Sequence, residues 1–223
     1  MNPHPVHVAS VLGTLVLWPL GLLASPAVGP EHMASQCFAD FVTQCVSETG
    51  GFPPSNPGDE FEVLSLVDLS PPLTWDPVNF EYTVRLGDLV SEGQSQQGPY
   101  QIAVAYSGGT LVIYEDPRSG GTPAVRCDDP ESFADGTPYL VGEVTSFSLF
   151  FNSQFNSGAA DGRVTFTGGT HLHELGGNTS DVVLGGIFVF SGPGFPLQWD
   201  GQVCFAAVPV EPTTWGQVKS TFR

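Results

Sequence analysis

From Asn79 to Leu86 the chain alternates strictly, with Phe80, Tyr82, Val84 and Leu86 on one side and Asn79, Glu81, Thr83 and Arg85 on the other. A period of two is what a half-buried β-strand imposes, because successive side chains leave the backbone on opposite faces. Tyr100 to Tyr106 repeats it, setting Tyr100, Ile102, Val104 and Tyr106 against Gln101, Ala103 and Ala105. Further strands are predicted at 61–69, 110–115, 139–144, 146–151, 163–167, 182–190 and 197–205, separated by Gly and Pro clusters. About nine strands and no long helical stripe predict an all-β chain, folded as an antiparallel, jelly-roll-like β-sandwich over residues 61–205. A short N-terminal segment and a C-terminal tail then lie outside the sheets.

Turn chemistry sets two expected registers. A two-residue Gly108-Gly109 turn pairs Tyr106 with Leu111 and Val104 with Ile113, apolar against apolar. The same turn at Gly168-Gly169 would drive His171 and His173 onto the apolar face. A three-residue loop that includes Thr170 instead pairs Phe166 with Leu172 and Thr165 with His173, which leaves both histidines on the outer face beside Arg163 and Thr165.

Ahead of the strands, Val8 to Ala24 is an apolar run and Ser25-Pro26-Ala27 supplies small residues for cleavage, so residues 1–27 read as a signal peptide and the mature chain starts near Val28. No Lys or Arg precedes the run. A retained anchor is the alternative, but roughly 17 residues interrupted by Gly13, Pro19 and Gly21 are marginal for a span. No stable membrane span is expected once the leader is removed.

Export fits the cysteines. Cys37, Cys45, Cys127 and Cys204 all follow the leader, and an even count in an exported chain reads as disulfides. Three pairings are open. Residues 28–60 form a disulfide-bearing segment and loop, in which CFADFVTQC fits a helical stripe. A helix would hold Cys37 and Cys45 about 12 Å apart, beyond the roughly 7 Å that a bridge tolerates, so each then bonds at long range. Cys204 alternates in phase with Gln198, Asp200 and Gln202, on the polar side of its strand. Its expected partner is Cys37 or Cys45, in a segment covering the sheet from outside.

The net charge is −17, and it reflects scarce bases: six Lys and Arg against 23 acidic residues. Four scattered arginines before the tail offer no basic face to phosphates, which excludes nucleic acid as a partner. Two acidic or imidazole clusters are candidate sites. His171 and His173 on one strand face present two imidazoles for a transition metal, with Glu174 or Asp181 as a third ligand, in a pattern similar to the first motif of cupins but without its following glutamate. Asp128, Asp129, Glu131 and Asp135 crowd the loop CDDPESFADG beside Cys127, an oxygen-rich set suited to calcium. For glycans, Trp75, Tyr114, Tyr139 and Trp199 are available aromatics, although Trp199 falls in phase with the buried Leu197, Val203 and Phe205. The lipase G-x-S-x-G, the zinc-protease H-E-x-x-H and the E-x-D-x-x-E set of jelly-roll glycosidases are all absent from the sequence.

The runs GPYQIAVAYSGGTLVIYEDP, FADGTPYLVGEVTSFSLFFN, DGRVTFTGG and LQWDGQV resemble exported bacterial β-sandwich proteins of unassigned activity, several of which carry PEP-CTERM sorting tails. Residues 206–223 form a linker and tail. Val208-Pro209-Val210-Glu211-Pro212 is similar to the Val-Pro-Glu-Pro opening of such a signal, but no apolar helix of about 20 residues follows it. Instead Thr214-Trp215-Gly216-Gln217 reads as a capping box opening a short helix with Trp215, Val218 and Phe222 on one side, a recognition or sorting peptide. The resemblance implies an exported bacterial sandwich and no particular reaction. The expected function is a non-enzymatic surface or envelope module that presents a sheet face to a glycan or protein, with calcium as a candidate ligand. A metal-dependent hydrolase or oxygenase-like sandwich using His171 and His173, and a purely structural envelope component, are the alternatives.

Overall fold

A computed structural model of the protein describes residues 36–43, 45–121, 123–124, 127, 129–189 and 197–206. The expected leader, Asp128 and the tail residues Trp215, Val218 and Phe222 lie outside the described residues. Among the described residues ten strands run in chain order: β1 (Cys37–Val42), β2 (Cys45–Glu48), β3 (Glu60–Leu66), β4 (Asp68–Leu69), β5 (Phe80–Gly98), β6 (Gln101–Pro117), β7 (Thr137–Asn152), β8 (Ser157–Gly168), β9 (Val182–Val189) and β10 (Gln198–Cys204). Every pairing is antiparallel. The all-β, antiparallel expectation holds.

The two-sheet sandwich does not. These ten strands belong to one sheet in the order β2-β3-β5-β6-β7-β8-β9-β10-β1-β4, curled into a half-barrel around the main core, with a small second cluster of Cys45, Leu64 and Phe133. Its ends are made of neighbouring stretches of chain, since only residues 43–44 separate β1 from β2 and only Val67 separates β3 from β4. The seam is crossed by Ser65 Oγ, which donates to the Val42 carbonyl at 2.8 Å. The segment CFADFVTQC, with its helical stripe, is two strands. Its alternative period loses because β1 finds ladder partners on both sides, in β10 and β4.

One sheet suffices because its strands are long and bent. β5 has 19 residues, β6 has 17 and β7 has 16, and Gly108-Gly109 is a bend inside β6 where a hairpin turn was expected. Both glycines have positive φ, as does Asp88 on the facing stretch of β5. Gly108 pairs with Leu89, and a Cβ on Gly109 would sit 2.6 Å from Leu89 Cδ2, so glycine there lets the two strands fold over together. The inward phase switches at this point, from Tyr106 to Leu111 and from Leu86 to Leu89, which keeps both halves of each strand facing the core. Gly168-Gly169 also fails to form a hairpin. β8 ends at Gly168, and the chain turns through a short 3₁₀ segment, Leu172–Leu175, before β9 returns to pair with β8.

The core is aromatic. Phe41, Phe61, Tyr106, Phe147 and Trp199 form a contiguous cluster with centroid separations of 5.3–5.8 Å, close to edge-to-face and offset geometries that add to burial. Trp199 is buried, as its phase requires. Cys204 bonds to Cys37, within the expected N-terminal stretch. That stretch does not cover the sheet from outside: Cys37 lies on β1, directly across the ladder from Cys204. The second bridge joins Cys45 on β2 to Cys127.

Candidate functional site

At one end of the half-barrel the sequence-predicted histidines meet the loop that follows β4. The 3₁₀ turn lifts them off the strand face on which they were expected. His171 is half-buried and stacks on Tyr139, with centroids 3.9 Å apart and planes 11° from parallel. His173 is exposed, its ring 6.2 Å from that of His171. Glu174, offered as a third metal ligand, is engaged elsewhere: it accepts the Thr74 amide and hydroxyl, each at 2.7 Å, and the Tyr139 hydroxyl at 3.3 Å. Partial burial pushes the Glu174 carboxyl up, but the Thr74 donors, His171 and Tyr139 together outweigh it and hold the group below its ordinary range. The single Tyr139 hydroxyl proton is shared between Glu174 and the nearer Thr74 carbonyl at 2.6 Å, and the Tyr139 ring meets Tyr82 edge-on at 5.6 Å. Burial pushes the Tyr82 hydroxyl up to about 12, helped by its bond to Glu115. These contacts lock the loop over the end of the core.

The acidic loop is anchored by its apolar members. Phe133 is fully buried and its carbonyl accepts the Thr83 hydroxyl at 2.7 Å, while Cys127 is tied to Cys45. Asp129, Glu131 and Asp135 are all exposed. Among the described residues no group of three or more His, Cys, Asp or Glu side chains is arranged to hold a metal ion. Each described arginine is paired with a carboxylate: Arg85 with Glu62, Arg118 with Glu81 and Arg163 with Asp161.

A buried polar network lies where the sequence reads as a linker. Phe52 inserts into the core against Phe151 and Phe188, drawing the loop across the sheet. Ser55 is buried, donates to the Glu48 carboxylate and pairs with Ser91 Oγ at 2.6 Å, while the Tyr106 hydroxyl reaches Glu48 Oε2 at 3.3 Å. Gly and Pro in VSETGGFPPSNPGDE signalled a loop correctly over Thr49–Asp59, but Val46–Glu48 belong to β2 and Glu60 opens β3; only the lone Phe52 hinted that the loop packs. Ser55 is too deeply buried to meet a substrate, so the network is structural. Burial pushes the Glu48 carboxyl up, and the charge of Asp59 adds to this, while the bonds from Ser55 and Tyr106 offset only part of it. A carboxyl that holds its proton more tightly folded than unfolded favours the fold fully below its unfolded value of about 4.5 and loses that contribution as pH rises through the raised folded value. Glu48→Gln is therefore expected to gain in melting temperature relative to the parent as pH rises from 4 to 8. A difference that stays constant across that range in parallel thermal melts refutes the assignment.

The feature with an outward aspect is the middle of the sheet. Gly93–Tyr114, Val144–Ala160 and Val182–Trp199 contain no charged residue, although the chain carries −17 overall. These segments are neighbours in the sheet. Their outer faces align in one cross-strand row: Ser95, Ala103, Phe150, Ala159 and Ile187. Phe150 is 50% exposed, Ile187 64% and Val189 46%, and the adjacent hairpin tips carry Tyr100 at 56% and Phe155 at 69%. The tips are lashed together by the Ser153 amide, which donates to the Tyr100 carbonyl at 2.8 Å. Of the aromatics first offered as glycan platforms, Tyr139 and Trp199 are buried, Tyr114 is half-buried and Trp75 is exposed on the pinned loop. The charge-free runs were visible in the sequence, but the exposed role of Phe150 was not singled out, flanked as it is by the inward Leu149 and Phe151. Compared with known proteins, the chain matches no family model, no curated protein and no solved structure.

Proposed function

We propose that this chain is a non-enzymatic surface or envelope module, exported and then engaged with a glycan or protein partner through the outer face of its sheet. The observation that carries the reading is the apolar outer face around Phe150 and Ile187, a row free of charge from β5 to β9 and bordered by Asp161 on β8 and Asp200 on β10. Monomeric surfaces rarely leave contiguous apolar area uncovered without a partner for it, and the rest of this surface is strongly acidic. Two disulfides fit an oxidising, extracytoplasmic environment, and no helix among the described residues is long and apolar enough to cross a membrane. The PEP-CTERM-like stretch after Phe205 is read as an address segment within the same proposal.

A pelleting assay on isolated cell envelopes tests it. The secreted protein is expected to sediment with the envelopes, and a Phe150→Ser, Ile187→Ser double variant is expected to lose at least about tenfold in retention, the scale of 1.4 kcal/mol. Thermal melts check that the variant stays folded. Equal retention of parent and variant overturns the reading.

A further inference from the structure

Between the tips of the β5–β6 and β7–β8 hairpins the surface dips into a groove of about 210 Å³. Its polar lining is carboxamide and hydroxyl, from Gln97, Gln101, Asn152 and Ser157, with Ile102 and Phe150 alongside. No ionisable side chain lines it. In a molecule of net charge −17 that neutrality is selective. A site for a cationic ligand would collect some of the abundant carboxylates, and an anionic ligand would be repelled by the field of the whole protein. Carboxamides offer donors and acceptors together, which is the complement of a hydroxyl, itself both donor and acceptor.

Two of these groups are already oriented. Asn152 Oδ1 accepts the Gln154 amide at 2.9 Å, which presents its NH₂ as the donor. Gln97 Nε2 donates to Ser95 Oγ at 2.9 Å, which leaves its oxygen as the acceptor. With the tips joined through Ser153 and Tyr100, the groove is formed before any ligand arrives, so little ordering opposes binding. We propose that it is a binding site for a neutral polysaccharide, with a sugar ring against Phe150 and its hydroxyls hydrogen-bonded by Gln101 and Asn152. This rests on the outer-face reading and names the chemistry of its partner. Small Ala103 and Ala159 on either side of Phe150 keep its ring clear, and the row toward Ile187 extends the platform across the strands.

Affinity gel electrophoresis of the secreted protein with dextran, laminarin and galactomannan, and with alginate as the anionic polymer, tests the assignment. At least one neutral polymer is expected to retard the protein and alginate is not. Phe150→Ala and the Gln101→Ala, Asn152→Ala pair are each expected to weaken retardation at least tenfold, with thermal melts showing that both variants remain folded at the assay temperature. Failure of all three neutral polymers, or equal retardation by alginate, overturns the inference. So does a concentration-dependent dimer in light scattering that Phe150→Ala abolishes while no polymer binds, because the face then serves a second copy of the chain. In each of these cases envelope retention that still depends on Phe150 and Ile187 leaves the broader surface-binding reading standing, whereas retention indifferent to both residues removes the two together.

Discussion

A Cys37→Ser, Cys204→Ser double variant is expected to melt about 10–20 °C below the parent chain. The two cysteines are 167 residues apart in sequence. On the chain-entropy account, a link that long removes freedom from the unfolded ensemble worth about 5 kcal/mol. For a domain of this size each kcal/mol moves the midpoint by about 2–4 °C. The bridge also closes the β1–β10 pairing at its end, where the ladder slips register between Cys37 and Ala39 and backbone bonding alone is irregular. Thermal melts followed by circular dichroism read the shift. A fall of less than about 5 °C would show that the ladder holds β1 without the link. The Cys45–Cys127 bridge closes 82 residues, and since the entropy grows only as the logarithm of loop length its loss should cost about 0.6 kcal/mol less.

Phe147→Ala is expected to destabilise the protein by about 3–5 kcal/mol. Phe147 is buried at the centre of the aromatic cluster, its ring 5.7 Å from Tyr106 and 5.8 Å from both Phe61 and Trp199. Those neighbours sit on three different strands and cannot all move into the space left behind, so the cavity term adds to the lost transfer energy. Phe150→Ala, three residues along the same strand but on the outer face, should change stability by no more than about 0.5 kcal/mol. Urea unfolding of the two variants separates the cases. A cost below about 1.5 kcal/mol at Phe147 would mean that the cluster collapses around the gap.

The alternating runs were legible because each carries its own facial signal. Tyr82, Val84 and Leu86 point into the core as read, and so do Trp199 and Val203. Glycine pairs were misleading for a physical reason: positive φ serves a two-residue turn and a mid-strand bend equally well. What decides between them at Gly108-Gly109 is whether Leu89 and Val144 have arrived to pack there, and no local window contains that information. The second half of β5, Glu92–Gly98, was missed because polar residues on both faces leave a strand with no periodicity. Its evidence is the ladder itself, through pairs such as Gln94 with Val104. The histidines failed similarly, since a register inferred from one turn moved both residues when the turn proved to be a bend into a 3₁₀ segment. Cys204 found its partner in the expected N-terminal stretch because few other cysteines were available, but its outward phase misled about placement, since Cys37 is its ladder neighbour on β1.

The pairing of the first strand with the last also governs when the protein can fold. β1 pairs with β10, and the rings of Phe38 and Phe41 rest on residues as distant as Phe166, Trp199 and Phe205. Contacts of such long separation form slowly, because the intervening chain must be ordered before they repay its entropy. During synthesis at about 5–20 residues per second, β10 emerges roughly 8–30 s after β1. Throughout that interval β1 has no lateral neighbour on its β10 side and Phe41 lacks its tryptophan. The nascent chain therefore stays unlatched at β1 until β10 has been synthesised, and the sheet is completed only then.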